Sequence, residues 1–212
     1  MNMKINKPKI ILSFLLLLVL SGCYQTETET ETESSLVWET FELTTEIYQS
    51  IPHEIRNAID GKTEFYYQGE RVNGLDELEI EHMNGAYFSL IDFEEDNTPE
   101  MLLNTCLTSY IFHVMDGQVY VYSLPFRTIA QPLNDGSFAG SGSAFTTTYY
   151  EFSCFSEKDF IYIPYLIFDA GSYYDQYGSV ILESDARLMI RKHEKSGAVA
   201  CYDFDRKIFG LE

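Results

Sequence analysis

The chain has 212 residues, 45% of them hydrophobic, and a formal charge of −19 at pH 7. That length suits one domain with a sizeable core. The acidity repels phosphate and so argues against nucleic acid as a partner.

Residues 1–22 carry the pattern of an export signal. Lys4, Lys7 and Lys9 make a basic start, and residues 10–20 are an apolar run. Eleven residues fall short of the roughly 18 needed to cross a bilayer. The run closes in Leu20-Ser21-Gly22-Cys23, which resembles the bacterial lipobox. That resemblance implies a diacylglycerol thioether on Cys23, a mature N-terminus at that residue, and a lipid-anchored protein on the outer face of the cell membrane. An ordinary secretory cleavage site beside a chance cysteine is the competing reading. Loss of Lys4, Lys7 and Lys9 with the signal takes the side-chain charge from −19 to −22. Residues 23–36 then form the lipidated cysteine and a tether. Thr and Glu alternate from 26 to 33, a pattern with nothing to bury, so a disordered, self-repelling spacer is expected. Residues 24–36 reach at most about 45 Å. Two acyl chains hold such a protein stably where one holds it marginally.

Residues 37–212 read as a single globular, β-rich domain. Over residues 39–61, Ile47, Ile51, Ile55 and Ile59 recur every fourth position and give one apolar stripe. Pro52 splits this helical segment in two and suits the first turn of the second piece, and Gly61 suits the position after its end. His53 is expected as an exposed helix residue. Phe65-Tyr66-Tyr67 reads as a short strand and Asn73-Gly74 as a turn.

Residues 84–123 read as strand, acidic loop, strand, tight turn, strand. Asp92, Glu94 and Asp96 stand at alternate positions and Glu100 follows. Calcium takes six to eight oxygens, and acids so spaced around a turn can wrap one ion structurally. The opposing reading is a solvated acidic turn. An EF-hand is excluded, because Leu103 occupies the position of its bidentate glutamate. Asp116-Gly117 marks a two-residue hairpin.

The loop resembles the D-x-D-x-D-G-x-x-E/D calcium loops of integrin-α (FG-GAP-like) β-repeats. More specifically, residues 86–150 resemble a family of small, largely uncharacterised lipoproteins of clostridia-like Gram-positive bacteria. The residues that carry this are Tyr87, Leu90, Asp92, Asp96, Pro99, Glu100, Asp116-Gly117, Arg127, Leu133, Asp135-Gly136-Ser137-Phe138, Ser141 and Ala144. The resemblance implies a loop between two strands and calcium held by Asp92, Glu94, Asp96 and Glu100. Glu94 departs from the pattern's Asp, and Asn97 from its turn Gly.

Residues 124–138 are expected to cross irregularly between Pro125 and Pro132. Gly140-Ser141-Gly142-Ser143 reads as a flexible turn, since it lacks the Lys and helix of a phosphate loop. Residues 144–153 and 160–168 read as strands, and 169–178 as a Tyr-rich loop. Residues 177–183, 186–193 and 198–204 are expected to close the fold as a β-meander with a turn at Ser184-Asp185. Tyr173, Tyr174 and Tyr177, beside Asp169 and Asp175, either line a sugar- or peptide-binding surface or pack as ordinary aromatics.

Beyond Cys23 the cysteines are Cys106, Cys154 and Cys201. An odd set forms at most one internal disulfide, and buried free thiols are the default. His53, His82, His113 and His193 lack motif partners, and no hydrolase motif is present. The expected fold is mainly β (α+β): antiparallel hairpins and meander with an N-terminal helical segment. The expected role is that of a membrane-anchored extracytoplasmic binding or interaction module with a protein or glycan partner. A cell-envelope hydrolase and a transporter-associated substrate-binding lipoprotein are the alternatives.

Overall fold

The computed structural model describes residues 40–78, 85–105, 107–125, 127–143, 145–205, 207 and 209. The signal segment, Cys23, the tether, His82, Cys106 and Ala144 lie outside the described residues. The fold is mainly β. Its strands are β1 (Thr40–Phe41), β2 (Phe65–Tyr67), β3 (Glu70–Val72), β4 (Tyr87–Ile91), β5 (Glu100–Asn104), β6 (Thr108–Met115), β7 (Gln118–Pro125), β8 (Gln131–Pro132), β9 (Phe138–Ser143), β10 (Thr146–Phe155), β11 (Phe160–Asp169), β12 (Ser172–Tyr174), β13 (Val180–Ile181) and β14 (Cys201–Asp203). Three α-helices accompany them among the described residues: α1 (Thr45–Ser50), α2 (His53–Ile59) and α3 (Glu183–Glu194).

The strands form two sheets. The larger runs β1-β14-β4-β5-β6-β7-β2-β3 and the smaller β13-β12-β11-β10-β9-β8. Pairing is antiparallel except for β1 with β14 and β2 with β7. The central strands β5 and β6 of the larger sheet are buried on both faces, and their period of two sorts side chains between two cores. Met101 and Leu103 of β5, with Tyr110 and Phe112 of β6, face the core under the helices, where Ile51, Ile55, Ala58 and Ile59 also lie. Leu102 and Ile111 face the other way, onto Phe138 and Phe160 of the smaller sheet. The helical stripe forms where the isoleucine spacing places it. Thr44 caps α1 by accepting the Ile47 amide at 3.3 Å, Ile51 turns extended, and Pro52 precedes α2.

The hairpin at Asp116-Gly117 has φ of 51° and 72°, left-handed at both positions as a type I′ turn requires. Three expectations are corrected. Residues 183–194 form helix α3, not a strand of a meander. Its code is electrostatic more than apolar: Glu183 and Asp185 sit in the first turn, and Arg191, Lys192 and His193 in the last, matching the helix dipole. Glu183 also pairs with Arg187 one turn on, at 2.8 Å. Residues 140–143 are not a loose turn but part of β9. A Cβ at Gly140 would collide with the Thr128 carbonyl oxygen, so glycine there serves close backbone approach. Tyr173 and Tyr174 belong to β12, not to a loop.

Candidate functional site

The acidic loop joins β4 to β5. Glu95 and Asn97 take left-handed φ of 55° and 69°, which Asn tolerates well. Both oxygens of Asp92 are engaged by the loop's own backbone: Oδ1 accepts the Asp96 amide at 3.0 Å and Oδ2 the Asn97 amide at 2.8 Å. Asp96 Oδ1 accepts the Thr98 amide at 2.7 Å. These two carboxylates shape the turn from within.

Glu100 behaves differently. It opens β5 and is 3% exposed. Its Oε2 accepts the Phe93 amide at 3.0 Å, and its Oε1 lies 2.9 Å from His113 Nδ1. The pair follows from strand register, one step beyond the Met101–Phe112 partners of β5 and β6. His113 is also buried, its ring stacked on Phe155 at 4.0 Å and 12°. Glu94 hangs at the loop surface with its carboxylate 3.9 Å from His113 Nε2. Glu94, Glu100 and His113 each bring a ligand atom within 4.8 Å of the others. Of the four acids singled out in the sequence, two thus converge with a histidine, and two organise the turn. His113 lacks any motif partner in the sequence; its signal was positional, as the cross-strand partner of Glu100. Nearby, burial, then Tyr120 and the carboxylates Glu94, Asp159 and Glu100, push the Tyr122 phenol well up. It stays protonated and donates a hydrogen bond to the Ser156 carbonyl at 2.5 Å.

A second histidine sits between carboxylates. His193, near the end of α3, has Nδ1 2.9 Å from Asp135 and Nε2 3.2 Å from Glu151. Asp135 Oδ1 also accepts the Ser137 amide at 3.1 Å and its hydroxyl at 2.5 Å. Burial, the largest single influence, pushes the Asp135 carboxyl up, but the Ser137 and His193 hydrogen bonds together hold it below its ordinary value. Gly136, at φ 74°, presses on Phe93 of the acidic loop, where a Cβ would lie 3.2 Å from the Phe93 ring. The D-G-S-F turn therefore braces both the acidic loop and α3.

The three tyrosines do not make one platform. Tyr173 and Tyr174 are adjacent on β12 and face opposite sides of the sheet. Tyr173 packs on Phe168 at 4.9 Å. Tyr177 is 84% exposed in the turn that Asp175 organises by accepting the Tyr177 and Ser179 amides. Asp169 accepts the Thr146 hydroxyl at 3.0 Å. Cys201 is buried, 3.3 Å from the Ser89 hydroxyl, and its burial pushes the thiol up. Cys154 differs from expectation: it is exposed, at the irregular step of β10 against β11.

A cleft of about 390 Å³ opens between the start of α2, the β2–β3 hairpin and the β6–β7 turn. His53, Glu54, Asn57, Tyr66, Arg71 and Gln118 line it. Arg71 donates from Nε to the Tyr66 hydroxyl at 3.2 Å and pairs with Glu64 at 3.3 Å. Tyr66 stacks on Tyr120 at 5.1 Å and 16°. These contacts place the cation beside the ring at the wall. Sequence reading missed the cleft because its lining comes from three separate elements. No family matches the chain, and no curated protein or solved structure does.

Proposed function

We propose that this chain is a lipid-anchored extracytoplasmic binding module, and that its ligand site is the cleft at the start of α2. The cleft carries the reading. Its volume of about 390 Å³ falls in the range of small-ligand sites. Its lining mixes one aromatic ring with donors and acceptors of several kinds, the chemistry that fits a hydroxyl-rich glycan unit or a polar peptide segment. The basic start, the apolar run and Leu20-Ser21-Gly22-Cys23 support the anchor. The acidic surface supports a partner that is not a polyanion.

Cys23→Ala tests the anchor. Membrane fractionation with lipid labelling is expected to find the wild type processed, labelled and membrane-bound, and the variant released or left as precursor. Equal recovery of processed, membrane-bound chain from both would refute the anchor. The cleft is tested separately by retention of envelope glycan and peptide fractions on the immobilised chain, compared with Arg71→Ala and Asn57→Ala in its wall.

A further inference from the structure

We propose that His113 and Glu94 form a site for a borderline divalent transition metal, zinc being the best fit, with Glu100 as the residue that orients the imidazole. This site is separate from the cleft and does not rest on the binding role.

Three observations carry it. First, His113 Nδ1 is held by a buried carboxylate at 2.9 Å. A carboxylate accepts, so Nδ1 carries a ring hydrogen, and whenever the ring is neutral Nε2 presents its lone pair. A carboxylate behind a ligating histidine is the arrangement that fixes tautomer and ring orientation in metal sites. Second, Nε2 makes no hydrogen bond with any described residue and is not sealed from solvent, although the side chain is only 4% exposed. Phe155 covers the ring face at 4.0 Å, and Nε2 is aimed at the Glu94 carboxylate. Third, the gap is within reach of one ion. Nε2 and Glu94 Oε2 stand 3.9 Å apart, too far for a hydrogen bond. Donors about 2.1 Å from a tetrahedral ion stand about 3.4 Å apart, a separation the exposed Glu94 carboxylate reaches by a shift of about 0.5 Å.

The donor set selects the metal. Calcium and magnesium take oxygen ligands, whereas an imidazole with a carboxylate suits zinc and its neighbours. Asp92 and Asp96 direct oxygens to the loop's backbone amides, so the nitrogen donor decides. Two protein ligands leave the remaining positions to water. The site is thus open and exchangeable, entered from the exposed Glu94 side.

The test uses the full chain in detergent after chelator treatment, titrated with zinc by calorimetry. Histidine ring nitrogen resonances are followed in parallel. One zinc per chain is expected, with the His113 Nε2 resonance moving on saturation. Glu94→Gln, a change at an exposed side chain, is expected to weaken binding about tenfold with an unchanged circular dichroism spectrum, and Glu100→Gln by about 10–100-fold. No binding at about millimolar zinc would overturn the proposal. So would zinc binding that Glu94→Gln leaves intact while the His113 ring stays unmoved, because the ion would then sit on other surface acids. A calcium response that Asp92→Ala abolishes and zinc does not compete with would overturn it in favour of an all-oxygen loop.

Discussion

Gly140→Ala is the substitution whose cost the structure specifies best. Gly140 lies in β9 with the 127–130 segment directly above it. An added Cβ would collide with the Thr128 carbonyl oxygen, with the Arg127 carbonyl oxygen and Thr128 carbonyl carbon each at 3.0 Å. All three are backbone atoms, so no side-chain rotation relieves the clash. The segment must lift. It is fastened there by the Ser141 amide to the Arg127 carbonyl at 2.9 Å and the Ala130 amide to the Ala139 carbonyl at 2.8 Å. Overpacking of a tight site costs about 1–3 kcal/mol, and two strained hydrogen bonds add about 1 kcal/mol each. The expected loss is about 3–5 kcal/mol, a large share of the roughly 5–15 kcal/mol that stabilises a domain. Gly171→Ala is the control. It has open space but φ of 84°, so only backbone strain of about 1–2 kcal/mol applies. Urea unfolding followed by far-ultraviolet circular dichroism measures both. A Gly140→Ala loss below about 1 kcal/mol, or a larger loss at Gly171, would refute the packing argument.

Two further outcomes follow from the cores and the D-G-S-F turn. Leu102→Ala and Leu103→Ala sit on opposite faces of β5 and are both fully buried; each is expected to cost about 2–5 kcal/mol in urea unfolding, whereas a sheet with one wet face would make one of them nearly free. Asp135, held below its ordinary 3.8, contributes stability that is present above that value and lost as pH falls through and below it. Asp135→Asn should flatten the acid limb of the unfolding curve, read as melting temperature against pH, and an unchanged acid limb would contradict the assigned role.

The parts of the fold legible in the sequence are those coded locally. Ile47, Ile51, Ile55 and Ile59 place both short helices, Pro52 places the break, and Asp116-Gly117 fixes a hairpin, because each rests on neighbours a turn or a pleat away. Helix α3 was obscured because only Ala186 and His193 along it are buried and Leu188 is 70% exposed. Its helical code lies in charge placement, which an apolar period overlooks. The acidic loop was visible, but which of its acids converge was not. That depends on Glu100 opening β5 opposite His113, a register set only once the turn after Asn104 is placed. The Asp135–His193 contact spans 58 positions and has no local signal. The cleft is likewise a product of assembly, its walls drawn from α2, β2, β3 and the β6–β7 turn.

The measurement that bears most directly on the proposed role is retention of envelope glycan and peptide fractions on the immobilised chain, compared with Arg71→Ala and Asn57→Ala. Both substitutions alter the cleft wall without touching either core. Saturable retention of one fraction by the wild type, reduced about tenfold or more in both variants as for lost anchor residues, is the predicted result. Retention that is equal in all three proteins, or none from any fraction, would contradict a binding module built on this cleft.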